Sequence, residues 1–511
     1  MKPYKILLFL ISIFILLFVI SIAFPKDGIQ IRSNFFLRFP DIRNVLTPEE
    51  SKYADISEIL KYHQFEITEN IEDLVSDTST NTSDTILVAD SLKAEIPKDT
   101  IFEKEIKTKI TPKIQPGAIP QRLEYQNNNK KVLYPFFNHL KNLKQTGELI
   151  RILHYGDSKI EGDRISSYIR NELQKQFGGC GIGMFAPVII KGTNISMNLE
   201  LNGTWERYTI QSIKNGNITH KRLGALMSFG RFVPLNSFEN KMYFGEINLY
   251  KSNITYLRTR KFKKCKVFYG YNKRPFIAEL KYRENTLDAE LIATSNQLNT
   301  LTWDIDGNLD EITISFKGED SPDIYAIALD DQYGIAVDNI PLRGSSGTDF
   351  TNTDLAFLRS MYQKINAKLI IMQFGVNLVP HIVDDYSYYE RQFYKQLKTL
   401  KGLRPDISII VIGVSDMSQN RYGRYVSYPN IVKIREAQKN AAFKAGCAFW
   451  DMYEAMGGEN SMPSWVNNDP PLARIDYTHF TWKGSVVISK MFFEALMHDY
   501  NEYLNNENTD H

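Results

Sequence analysis

The sequence predicts an α/β domain built on a parallel sheet, interrupted by a β-rich segment and preceded by a transmembrane helix. Three observations carry that expectation. Residues 6–24 form one apolar run, and short apolar strands alternate with amphipathic helices near residues 130–190 and again beyond 350. Between those stretches the pattern changes to short, alternating, aromatic-rich runs with a period of two.

The first element is Ile6 to Phe24, broken only by Ser12 and Ser21. Nineteen residues rising about 1.5 Å each span roughly the 30 Å of a hydrocarbon core. Lys2 and Lys5 precede it, which fits a signal anchor with the bulk of the chain exported into the cell envelope, on the periplasmic side of the cytoplasmic membrane. The competing reading is cleavage after Ser21-Ile22-Ala23, and it exports the chain as well. Residues 1–24 are therefore read as anchor and 25–120 as a low-order tether. Within the tether lie polar runs such as Ser76-Asp-Thr-Ser-Thr-Asn-Thr-Ser-Asp84, and a short helix is expected near Ile56 to Phe65.

Folded sequence starts near residue 121. An amphipathic run covers Tyr134 to Leu143, and Leu149-Ile-Arg-Ile-Leu-His-Tyr155 reads as a strand, followed by Gly156-Asp-Ser158 and a helical pattern to Phe177. From 193 to 338 come strand-like runs such as Lys241 to Tyr250, Cys265 to Tyr271 and Glu311 to Phe316, which predict a β-sandwich. The α/β pattern resumes in 339–511, with helices around Asp354–Ile365, Tyr386–Leu400 and Ile431–Ala445, and strands at Leu369–Phe374 and Ile407–Ile412.

Composition narrows the function. In 511 residues, 61 Lys and Arg against 59 Asp and Glu leave a formal charge of +2, which gives no electrostatic reason to bind nucleic acid. Cys180, Cys265 and Cys447 are an odd, scattered set that signals neither a metal cluster nor a disulfide framework.

Ser158 follows an apolar strand directly, where Gly156 allows a tight turn and the next helix start offers N–H groups to an oxyanion. Asp476-Tyr-Thr-His479 places a carboxylate three residues from an imidazole, so Asp476 can fix the ring's tautomer while its other nitrogen takes the Ser158 proton. Arg343-Gly-Ser-Ser-Gly-Thr348 and Gln373-Phe-Gly-Val-Asn377 follow β-type sequence, so the Gly347 N–H and the Asn377 amide can join the Ser158 N–H in an oxyanion hole. Gly344 competes for the glycine position.

With its four blocks in this order, the sequence resembles the SGNH, or GDSL-type, hydrolases. Gly156-Asp-Ser-Lys-Ile-Glu-Gly-Asp163 and Phe177-Gly-Gly-Cys-Gly-Ile-Gly183 are similar to the exported, two-part bacterial branch, and the insertion resembles that of peptidoglycan O-acetylesterases. The resemblance implies a flavodoxin-like three-layer fold interrupted by a carbohydrate-binding-type, jelly-roll-like β-sandwich. It implies Ser158 as nucleophile, Asp476 and His479 as acid and base, an O-acetylated glycan as substrate, and no metal or organic cofactor.

Asp416 and Trp465 are candidate substrate contacts, with Met417, Trp450 and Asp451 also in loops after the later strands. Tyr269, Tyr271 and Phe276 suit either sugar stacking or a sandwich core. His154 and Lys159 flank the serine in structural or rim positions. The function expected is O-acetyl ester hydrolysis on an envelope polysaccharide, most simply peptidoglycan. The alternatives are a polysaccharide O-acetyltransferase using the same residues and a catalytically silent glycan-binding protein.

Overall fold

A computed structural model describes residues 3–24, 29–32, 35–37, 53–62, 121–190, 195–235, 241–305, 309–421 and 423–509. The expected tether thus lies mostly outside the described residues. Its described parts are a two-stranded ribbon (Ile29–Arg32 with Phe35–Leu37) and a segment ending in the helix Ser57–Tyr62. The apolar run folds as the helix Pro3–Ala23, and its stretch Tyr4–Ala23 is long and apolar enough to cross a membrane.

The central sheet has six strands in the order Gly334–Pro341, Leu149–Gly156, Ala367–Gln373, Ser408–Ile412, Ala448–Trp450 and Leu123–Glu124. The first five pair in parallel and the last is antiparallel. Numbered along the chain from Leu149, the parallel strands run 2-1-3-4-5, the flavodoxin-like doubly wound order. Residues 2, 4 and 6 of a strand face opposite to 1, 3 and 5, so these nearly continuous apolar strands feed two separate cores. Ile150, Ile152, Leu369, Ile371, Ile410 and Ile412 pack under the helices Tyr134–Thr146, Ser166–Phe177 and Trp482–Thr509. Leu153, Tyr155, Ile370, Met372, Ile409 and Val411 pack under Leu355–Lys364, Ser387–Leu403 and Ile431–Lys444.

Between the first two parallel strands, the chain forms two antiparallel sheets. One runs Ser295–Asp304, Lys264–Asn272, Asp323–Asp330, Ser228–Arg231, Glu206–Thr209, with Gly183–Phe185 also on Asp323–Asp330. The other runs Asn285–Ile292, Phe276–Tyr282, Glu311–Gly318, Tyr243–Lys251, Met197–Gly203. Side chains from both, including Cys265, Val267, Trp303, Ile247, Leu280 and Ile314, share one core. The central sheet resumes at Gly334, inside the span assigned to the insertion, because Gly334–Pro341 pairs with the Leu149–Gly156 strand. Its alternating run reads in sequence like one more strand of the insertion.

The junction is polar and buried. Arg151, in the Leu149–Gly156 strand, donates to Asp338 at 2.6 Å and to Asp330, at the end of an insertion strand, at 2.5 Å. Asp338 also accepts the Met184 N–H at 2.7 Å, and burial raises its carboxyl to about 6.

Candidate active site

The strand Leu149–Gly156 ends at the switch point of the sheet, where neighbouring connections leave in opposite directions, the position at which open α/β sheets bind ligands beyond the strands' carboxyl ends. Gly156 is required there, since a Cβ would sit 2.9 Å from the Gln373 carbonyl oxygen and 3.0 Å from Ile160. Ser158 comes next. The helix expected directly after it starts only at Ser166, because Glu161 is extended and Gly162 and Asp163 take positive φ, leaving a short 3-10-type turn over Ser158–Asp163. Arg170 fixes that turn through a buried ion pair to Asp163 at 2.6 Å.

Asp157 ties two loops together: one carboxylate oxygen accepts the Lys159 N–H at 3.0 Å and the other the Val376 N–H at 3.3 Å. The serine turn is thereby fastened to the loop that carries Asn377. Burial pushes the Asp157 carboxyl above its ordinary value. Glu161 reaches Arg343 through two contacts of 2.5 and 2.8 Å, fastening the same turn to the loop with Gly344 and Gly347.

Ser158 Oγ lies 2.9 Å from His479 Nε2, and His479 Nδ1 lies 2.8 Å from Asp476 Oδ2. Residues 158, 476 and 479 thus form one continuous hydrogen-bonded line. Asp476 Oδ1 accepts the backbone N–H groups of Thr478 and His479, each at 2.9 Å. Partial burial opposes its ionisation, but the His479 ring and these two N–H groups outweigh it and hold the carboxyl well below the usual range.

The loop carrying this pair closes on itself: Arg474 N–H donates to the His479 carbonyl at 2.8 Å, and Thr481 N–H to the Leu472 carbonyl at 3.0 Å. Lys159 straps the loop from the serine side. Its buried ammonium donates to the Thr478 carbonyl and lies 4.1 Å from the centre of the Phe480 ring, and burial lowers its pKa. Its role is therefore to hold the loop, as is that of Arg164, which donates to the Phe480 carbonyl at 3.3 Å.

The expected oxyanion donors converge on Ser345. Gly347 N–H donates to Ser345 Oγ at 3.0 Å, and the Asn377 amide to the Ser345 carbonyl at 2.9 Å. Both Gly344 and Gly347 take positive φ, but only Gly347 is packed, since a Cβ there would meet Phe374 at 2.7 Å.

Asp416 and Trp465, expected as substrate contacts, are both fully buried, with their polar atoms taken up inside the fold. Asp416 accepts from Ser427 Oγ at 2.6 Å and the Met462 N–H at 2.7 Å; Trp465 donates to the Met456 carbonyl at 2.9 Å. Trp450 is a core strand residue, Asp451 caps the helix Met452–Ala455, and Met417 packs against the larger core. His154 is buried between Gln373 and Ser166, at 3.0 and 2.8 Å, and burial lowers its pKa to about 4. Tyr269 and Phe276 pack edge to face in the core of the two sheets, and Tyr271 is covered by the Arg222 guanidinium at 3.8 Å. The three cysteines are buried free thiols.

No known family model matches the chain, and neither does any curated protein. Among solved structures, a peptidoglycan O-acetylesterase matches with a TM-score of 0.56 and 21% identity, over 72% of this chain and 96% of that one. This chain shares the SGNH hydrolase fold. An acetyl xylan esterase matches 32% of this chain and 81% of its own at 14% identity and TM-score 0.24. A family two carbohydrate esterase from Cellvibrio japonicus matches 60% of this chain and 99% of its own at 8% identity and TM-score 0.23. In this fold Ser158 follows the first parallel strand and His479 lies in the loop before the last helix, Trp482–Thr509.

Proposed function

We propose that this protein is a serine esterase that removes O-acetyl groups from a cell-envelope polysaccharide, with peptidoglycan the leading substrate. The observation that carries the reading is the line Ser158–His479–Asp476, with spacings of 2.9 and 2.8 Å, at the switch point of a doubly wound sheet. His479 takes the Ser158 proton as Oγ attacks the acetyl carbonyl, and the ionised Asp476 stabilises the resulting imidazolium. The Ser158 and Gly347 N–H groups and the Asn377 amide hold the tetrahedral oxyanion, Gly347 exchanging its Ser345 hydroxyl partner for the substrate oxygen. His479 then protonates the departing sugar hydroxyl, and water removes the acetyl group by the same route.

The choice of substrate draws on the fold shared with a peptidoglycan O-acetylesterase and on the pair of antiparallel sheets, which we read as a carbohydrate-binding-type β-sandwich inserted between the strands Leu149–Gly156 and Gly334–Pro341. The apolar helix fits an anchor that holds the catalytic part outside the cytoplasmic membrane.

The test is acetate release by the full-length protein, in detergent, from O-acetylated peptidoglycan and from acetylated xylan. Release from peptidoglycan is expected, with Ser158→Ala slower by about three to six orders of magnitude. A variant that keeps its rate would sink the triad, and release from xylan alone would overturn the substrate.

A further inference from the structure

The segment around residues 53–62 belongs by sequence to the tether, yet it docks beside the acid–base loop. Ile56 is only 7% exposed and joins the core that contains Met456 and Trp465. Ala54 uses both of its backbone groups: its N–H donates to the Asn460 carbonyl at 3.2 Å, and its carbonyl accepts from Ser464 Oγ at 2.6 Å. Asn460 is in turn locked to Ser427, its N–H donating to Ser427 Oγ at 2.7 Å and its side-chain oxygen accepting the Ser427 N–H at 2.9 Å.

Ser427 ends a hairpin formed by Ser418–Arg421 and Arg424–Ser427, and the hairpin's Ser418 N–H donates to the Tyr477 carbonyl at 3.1 Å. Tyr477 stands between Asp476 and His479. Its ring stacks on Tyr425 of the hairpin, with centroids 3.4 Å apart and planes 5° from parallel. A chain of direct contacts therefore runs from Ala54 to the catalytic loop.

At the outer end of this chain is Tyr53, 38% exposed, next to the docked Ala54, whose partner Asn460 is bonded to Ser427, two residues from Tyr425 on the same strand. Tyr425 and Tyr477 remain partly exposed, and Ile475, the residue before Asp476, is 84% exposed. Aromatic and aliphatic side chains exposed on and beside the loop that carries Asp476 and His479 offer a surface for a ligand with an apolar face. A pyranose ring is such a ligand: its C–H face packs on an aromatic ring while phenol hydroxyls meet its own.

We propose that Tyr53, Tyr425 and Tyr477 form a platform for a sugar ring of the acetylated glycan, so that residues 53–56 complete the substrate site. This rests on the esterase reading above. It gives the juxtamembrane segment a role in specificity as well as in reach.

The experiment compares full-length wild type, Tyr53→Ala and Tyr53→Trp on soluble fragments of O-acetylated peptidoglycan and on 4-nitrophenyl acetate. Tyr53→Ala is expected to raise KM for the fragments about fivefold to tenfold and to lower the ratio of the two kcat/KM values by the same factor. Tyr53→Trp is expected to keep the wild-type ratio. A ratio unchanged by Tyr53→Ala overturns the platform. If wild type cleaves neither ester, the esterase reading fails on its own. Calorimetric binding of the same fragments to wild type and Tyr53→Ala then decides the platform, with about fivefold weaker binding expected and equal binding overturning it.

Discussion

The two halves of the site are held in opposite ways. Ser158, the proposed nucleophile, sits just past the end of a strand buried from Ile150 to Gly156, fixed by the parallel sheet on both sides and by Arg151, His154 and Asp157 beneath it. Asp476 and His479, the proposed acid and base, sit on a loop whose Arg474, Ile475 and Asp476 are exposed, and which is held by its own turns and by the struts Lys159, Arg164 and Ser418. The contrast separates two kinds of residue. Groups under the serine should set the stability of the whole domain, whereas groups strapping the loop should set the rate of the chemistry.

The largest expected effect that tests this contrast is at Arg151. Arg151→Met removes one partner of a buried pair of carboxylates and leaves Asp330 and Asp338 uncompensated. The expected cost is about 3–5 kcal/mol of unfolding free energy, read from denaturant titration. The triad is untouched, so the protein that remains folded should keep its activity. A loss of specific activity without a loss of stability would break the comparison.

Next in size is a pH effect at His154. Its folded pKa, about 4, lies below the ordinary 6.5, so between these values the unfolded chain binds a proton that the folded one does not. Stability is thus fully present above pH 6.5 and is lost as pH falls towards 4, by up to about 3 kcal/mol at this fully buried group. Unfolding titrations from pH 7 to 4.5 should show that slope in wild type and a flatter one in His154→Gln. Parallel curves would remove His154 from the account.

What was legible in the sequence follows the same division. The parallel strands, the serine turn and the Asp476–His479 pair are written locally, in an apolar run, a glycine turn and a three-residue spacing. The contacts that fix them are not: Arg151 meets Asp330 and Asp338 across 179 and 187 residues, and Lys159 meets Thr478 across 319. Asp416 follows a strand and Trp465 lies in the long approach to Asp476, which is why both read as substrate contacts, but such a position does not say whether a side chain turns inward. Asp416 turns inward to satisfy Ser427 and the Met462 N–H. The docking of Ala54 and Ile56 was hidden for a related reason. A few apolar residues amid polar sequence read as tether until their partners at 457–464 are in place.

The smallest effect is the most discriminating, because Lys159 belongs to both halves. Its backbone N–H caps onto Asp157 beneath the serine, while its ammonium holds the Thr478 carbonyl and Phe480 ring of the other loop. Lys159→Met keeps a long apolar stem in the buried space and the backbone bond, and removes only the strut. If the acid–base loop depends on that strut, His479 should lose its alignment with Ser158. A displacement on the order of 1 Å should lower kcat by about 10- to 100-fold. KM should stay near its wild-type value, since the lysine is buried, and stability should fall less than in Arg151→Met, because the hydrogen-bond acceptor left without its donor is a neutral carbonyl rather than a pair of carboxylates. The kcat and KM of the full-length enzyme on 4-nitrophenyl acetate, with a parallel thermal melt, separate these effects. A large drop in Tm with kcat intact would place Lys159 with the buried groups under the serine and erase the distinction between the two halves.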